Sequence, residues 1–174
     1  MKKLTVHGNT YVFDKEKNHL LKRGLMDVYD QSKEVNEWVI LDEYILWSAR
    51  LQKIIIIPRW MVTDLSSIPK GLRWLISVNE RHRLPSLPHD FGYKFSDSMV
   101  TPKELWDLIF QDFMREFGTS KFKRWVIYTA VKLGGQSSWE DVSKKFIPVE
   151  HRKTFIDAHP RLKLKVEDGE YDVV

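Results

Sequence analysis

The segment from Thr101 to Gly118 constrains the fold more than any other part of this chain. Thr101-Pro102-Lys103-Glu104 combines a capping box with proline at a first helical position. Leu105, Ile109, Phe113 and Phe117, joined by Trp106 and Phe110, then recur at helical spacing, and Gly118 ends the pattern. This predicts a helix over 102–117 with a broad apolar stripe, which a stable chain must bury against something else. A 174-residue sequence with 43% apolar residues, seven Trp and nine Phe has the material to do so within one domain, 1–174.

The stretch before this helix reads as β followed by loop. Leu4–His7 and Tyr11–Phe13 flank a Gly8-Asn9 turn, while residues 14–36 are polar and indeterminate. Two apolar runs follow, Trp38–Trp47 and Lys53–Ile57, joined through Ala49-Arg50-Leu51. The second holds four consecutive Ile and predicts a strand buried on both faces, stopped by Pro58. Asp64, Ser66, Ser67, Pro69 and Gly71 mark a loop, and Leu72–Ile76 a short apolar turn. A helix over 86–95 carries Pro88 in its first turn. After Gly118, Ser120 caps a helix over Lys121–Leu133, expected to pack through Phe122, Trp125, Val126 and Thr129. A short helix around Trp139–Phe146 and a hairpin of Leu162–Val166 and Tyr171–Val174 about Asp168-Gly169 complete the reading. The expected fold is α+β: a β-rich part over 1–60 packed on a helical core over 61–135 whose centre is an antiparallel helix pair. A third helix and an extension over 136–174 with the hairpin follow.

Composition narrows function. Without cysteine there is neither a disulfide nor a thiolate metal site, which fits a reducing compartment. Met1-Lys2-Lys3 is not followed by an apolar segment, because His7, Gly8 and Asn9 interrupt it, so no signal peptide is expected. No window approaches the roughly 18 apolar residues of a membrane span. The net charge of +4 favours anionic surfaces in general, but Lys and Arg form no dense block, which makes nucleic acid an unlikely partner. His82 lies between Arg81 and Arg83 and reads as surface, and the Trp125 and Tyr128 region reads as core by its helical spacing.

Pro88-His89-Asp90-Phe91-Gly92-Tyr93 concentrates the chemistry. On a helix His89 and Tyr93 share a face, with Asp90 turned about 100° away. Pro88 places His89 near a helix start, whose dipole keeps an imidazole neutral at neutral pH. Asp107 follows on the next helix, on a face with Glu104 and Gln111 outside the apolar stripe, and Asp64 precedes at a strand end. Two carboxylates with backbone carbonyls and water suit Ca²⁺, which takes roughly six to eight oxygen ligands, better than zinc. The same residues also fit a polar network that only pins two helices together. Asp64 likewise fits a turn, and Asp107 a solvated helix face.

Two resemblances attach to these residues. Asp64-Leu65-Ser66-Ser67-Ile68-Pro69, His89-Asp90-x-x-Tyr93 and Asp107-x-x-Phe110 resemble an uncharacterised family common in tailed phages, over most of residues 38–140. That likeness implies a place in a phage virion, in tail, neck or baseplate, or in the host cytoplasm, with other virion proteins as partners. More locally, His89–Lys94, Asp107–Met114 and Asp64–Gly71 resemble the catalytic helix, second helix and calcium loop of bacterial and fungal secreted phospholipase A2, in the same order. This implies a Ca²⁺-dependent hydrolase acting on a phospholipid or another ester. His89 would be the base, Asp107 and Tyr93 would orient it, and Asp64, the Leu65 carbonyl and Asp90 would be Ca²⁺ ligands. The chain departs from those enzymes in lacking disulfides and in a calcium loop poorer in glycine. The alternative is a non-catalytic virion component that uses the helix pair as scaffold.

Overall fold

The computed structural model describes residues 1–30, 37–64, 80–95, 101–134 and 146–158. The architecture is α+β. Among the described residues eight strands come first: β1 Lys2–Val6, β2 Asn9–Phe13, β3 His19–Lys22, β4 Leu25–Asp30, β5 Glu37–Asp42, β6 Tyr44–Ser48, β7 Lys53–Ile57 and β8 Val62–Thr63. Four described helices follow: α1 Glu80–Lys94, α2 Lys103–Glu116, α3 Lys121–Gly134 and α4 Val149–Ala158. The strands form an antiparallel β1-β2 hairpin and two three-stranded antiparallel sheets, β3-β6-β7 and β4-β5-β8.

The hairpin turn is His7-Gly8, one residue earlier than the expected Gly8-Asn9. Both residues have positive φ (47° and 78°), as a two-residue turn matched to strand twist requires. The polar stretch after Phe13 contributes β3 and β4, and the Trp38–Trp47 run breaks at Glu43 into two strands of different sheets. The strand buried throughout is β6, central in its sheet. In the isoleucine run only Ile55 and Ile57 are fully buried, because β7 is an edge strand.

β5 shows how the β part divides its core. Ile40 faces a large cluster shared with Leu46, Ile57, Leu87, Trp106, Ile109 and Phe113. Val39 and Leu41 face a smaller one with Trp60, Val62, Ile147 and Phe155. Alternation along one strand thus packs α1–α3 on one side and α4 on the other. Phe146 forms a β-bridge with Met61 rather than ending a helix, and Ile147 N–H donates to Trp60 O at 3.0 Å. The rest of the expected 139–146 helix, the 65–71 loop residues, the 72–76 turn and the C-terminal hairpin lie outside the described residues.

α1 begins six residues before the expected 86 and carries Pro85 and Pro88 in its interior, so Pro88 is not a first-turn proline and His89 is not near a helix start. Each proline removes a helical N–H. Burial of Leu84, Leu87 and Tyr93 against the core offsets that loss. α2 starts at Lys103 with Pro102 at the N-cap and no side-chain cap bond, so the Thr101 capping box does not form. At its other end Gly118 (φ 80°) does stop the helix, letting Thr119 N–H reach Met114 O at 2.8 Å.

α1 and α2 are antiparallel: Tyr93 lies by Lys103, Gly92 by Trp106 and His89 by Phe110. Gly92 marks the closest approach, since a Cβ there would run into the Trp106 indole. α3 is turned the other way from expectation. Ile127, Ala130 and Val131 are buried, while Phe122 and Trp125 are exposed.

Candidate functional site

Helical spacing puts His89 and Tyr93 on the face of α1 that meets α2, and Asp107 rises between them from α2. Tyr93 Oη donates to Asp107 Oδ1 at 2.7 Å, and His89 Nε2 lies 3.0 Å from the same oxygen. The His89 ring centre lies 4.0 Å from that of Tyr93 and 4.9 Å from that of Phe110, the ring planes tilted by 39° and 35°. His89 is 0% exposed and Asp107 1%, so the solvated helix face expected for Asp107 is corrected: it points into the α1–α2 interface. Lys103, one turn earlier and itself buried, adds a third donor, its Nζ reaching Oδ2 at 2.8 Å.

Burial alone would hold the Asp107 proton. The hydrogen bonds from His89, Lys103 and Tyr93 outweigh it and bring the carboxyl below its ordinary range. An ionised carboxylate only accepts, so His89 Nε2 carries a hydrogen and, in the neutral ring, Nδ1 carries the lone pair. Burial opposes charging of the His89 ring. The Asp107 hydrogen bond and the charges of Asp90 and Asp107 prevail, so its pKa lies above the ordinary 6.5. Burial and the Asp107 carboxylate raise the Tyr93 phenol, which stays a donor.

Asp90 is also buried. Its Oδ2 accepts a hydrogen bond from the Thr63 hydroxyl at the end of β8, and its Oδ1 lies 3.7 Å from His89 Nδ1, close enough to act as a charge but too far for a hydrogen bond. Among the described residues His89 Nδ1 has no hydrogen-bond partner. Asp64, next along from Thr63, is exposed, and Leu65 lies outside the described residues. The structure therefore brings together His89, Asp107, Tyr93 and Asp90, and sets Asp64 apart in exposure. The described residues hold no cluster of three or more His, Cys, Asp or Glu able to bind a metal. For Ca²⁺ they offer hard oxygens of the right kind, from Asp90 and Asp64, but fewer than the ion needs.

A family model described as a protein of unknown function, DUF1353, matches residues 38–131. The chain belongs to this family. No curated protein and no solved structure matches the chain. The DUF1353 span runs from β5 into α3 and contains Thr63, Asp64, His89, Asp90, Tyr93, Lys103 and Asp107. Two of these escaped sequence reasoning. Lys103 had a signal, since it stands four residues before Asp107 on one helix. Thr63 had none, because its contact with Asp90 spans 27 positions and depends on how β8 meets α1.

Proposed function

We propose that this DUF1353 protein is a hydrolase in which His89 activates water for attack on an ester, a phospholipid being the substrate class. One observation carries this reading: Asp107 holds His89 by Nε2, while the buried Nδ1 has no hydrogen-bond partner among the described residues and offers a lone pair whenever the ring is neutral. A buried polar atom left unpaired asks for an explanation, and a base awaiting water supplies one. Asp107 orients the ring and stabilises the imidazolium, as the aspartate of a serine-protease triad does. Tyr93 and Lys103 hold Asp107 in turn. By the resemblance to secreted phospholipase A2, Asp90, Asp64 and the Leu65 carbonyl would be ligands to Ca²⁺, with water supplying the oxygens they leave short, and the bound ion would polarise the ester carbonyl. The order of these residues, which resembles that in secreted phospholipase A2, supports the assignment.

The complete burial of His89 favours a second reading, in which the network is a clamp fixing α1 on α2 and the chain is a structural part of a phage virion. Phospholipid hydrolysis with and without Ca²⁺, by wild type, His89→Ala and Asp90→Ala, separates the two. Ca²⁺-dependent turnover lost in both variants is expected. Activity unchanged in both, or absent from folded wild type, would overturn the hydrolase and leave the clamp.

A further inference from the structure

α3 presents to solvent what helices of its composition ordinarily bury. At about 100° per residue, Phe122 and Trp125 fall on the side of the helix away from Ile127 and Val131, which pack inward with Ala130, and Leu133 lies toward that outer side near the helix end. Phe122, Trp125 and Leu133 are 67%, 61% and 80% exposed. The rings of Phe122 and Trp125 lie 6.5 Å apart and form one patch. Large apolar side chains grouped on a surface mark a contact with something else.

Charge identifies that partner. α3 carries Lys121, Lys123, Arg124 and Lys132 and no carboxylate, with exposed Lys121 next to Phe122 and exposed Lys132 next to Leu133 in the chain. Beside Trp125 a cleft of about 210 Å³ is lined in part by Arg115, Lys121 and Arg124. Its one lining carboxylate, Asp112, is paired with Arg50 at 2.7 Å and with Arg115 at 3.6 Å, so the cleft's surplus of positive charge comes from Lys121 and Arg124. A second copy of this chain docked face to face would set these cations against themselves. Nucleic acid would use the cations and rings, but Leu133 offers nothing to stack on. Trp, Phe and Leu flanked by Lys and Arg suit the boundary of an anionic bilayer, where rings enter the headgroup layer and cations meet phosphate.

We infer that the outer face of α3 is a membrane-contact surface that seats the protein on anionic phospholipid. No helix among the described residues is long and apolar enough to cross a bilayer, so the contact is peripheral. It stands whether or not His89 turns over a substrate.

The test is co-sedimentation of the full chain with vesicles of equimolar phosphatidylcholine and phosphatidylserine, or of phosphatidylcholine alone. A chelator is present throughout, so that no Ca²⁺-dependent turnover enters. Wild type is expected to bind the anionic vesicles at least about tenfold more tightly, and less tightly as salt rises. Phe122→Ser/Trp125→Ser and Lys121→Glu/Lys132→Glu are each expected to lose about tenfold or more, with unfolding temperatures unchanged because these side chains are exposed. Failure of wild type to bind, or undiminished binding by the Ser variant, would overturn the inference. So would tighter binding to a single-stranded oligonucleotide than to vesicles, or a dimer in sedimentation velocity that the Ser variant converts to monomer.

Discussion

Replacing Lys103 by Met tests whether the α1–α2 network is a buried ion pair or a set of independent contacts. Lys103 is 8% exposed and Asp107 1%, and their charged atoms are 2.8 Å apart. Removing one member of such a pair costs about 3–5 kcal/mol, because the other charge stays buried without compensation. Asp107 keeps the bonds from His89 and Tyr93, both on Oδ1, so only Oδ2 loses its donor. The expected loss is therefore at the low end, about 3 kcal/mol, which for a chain of this size lowers the unfolding temperature by roughly 6–12 °C. Asp107→Asn should cost at least as much, since its amide would face the ammonium. The informative variant is Lys103→Met/Asp107→Asn, which removes both charges and should lie within about 1–2 kcal/mol of wild type. Equilibrium urea unfolding followed by tryptophan fluorescence measures all four proteins. Lys103→Met within about 0.5 kcal/mol of wild type, or a double variant whose loss is the sum of the singles, would refute the reasoning.

Three further outcomes follow from the same geometry. The Asp107 pKa is depressed in the folded chain, so its contribution is present above the ordinary value of 3.8 and is lost as pH falls through the folded value. Wild type should lose stability progressively below about pH 4, and Asp107→Asn should lose less over that window in acid-denaturation curves. Gly92→Ala should cost about 2 kcal/mol or more by thermal unfolding, because its methyl meets the Trp106 ring in a packed interface; a change under about 0.5 kcal/mol would mean α1 and α2 can separate freely. Thr63→Val should cost about 1–3 kcal/mol by leaving an Asp90 oxygen short of a donor, with Thr63→Ser recovering most of it in the same denaturation assay.

How far the chain could be read without coordinates depended on the range of the interaction. The stripe of α2 and its stop at Gly118 were legible, because helical periodicity and a positive φ are properties of adjacent residues. The inner stripe of α3 was not. Phe122, Trp125, Val126 and Thr129 make a helical face as consistent as Ile127, Ala130 and Val131, and the surface offered by α2 selects between them. The prolines of α1 misled for a related reason: local cost argues for a boundary at Pro88, and burial of Leu84 and Leu87 overrides it. At the site, the i,i+4 relation of His89 and Tyr93 was legible, while the inward turn of Asp107 was not. A carboxylate is buried only where donors meet it, and two of its three come from another helix.

By itself the sequence determined the α+β class, the helical stripe of α2 and the run of His89, Asp90 and Tyr93, because spacing and turn chemistry act over a few residues. Only the tertiary structure decided that Lys103 neutralises Asp107, that Thr63 meets Asp90 across 27 positions, and that Phe122 and Trp125 of α3 are left exposed. Those outcomes depend on which surfaces meet when the layers pack, and that depends on volumes and charges supplied by distant parts of the chain.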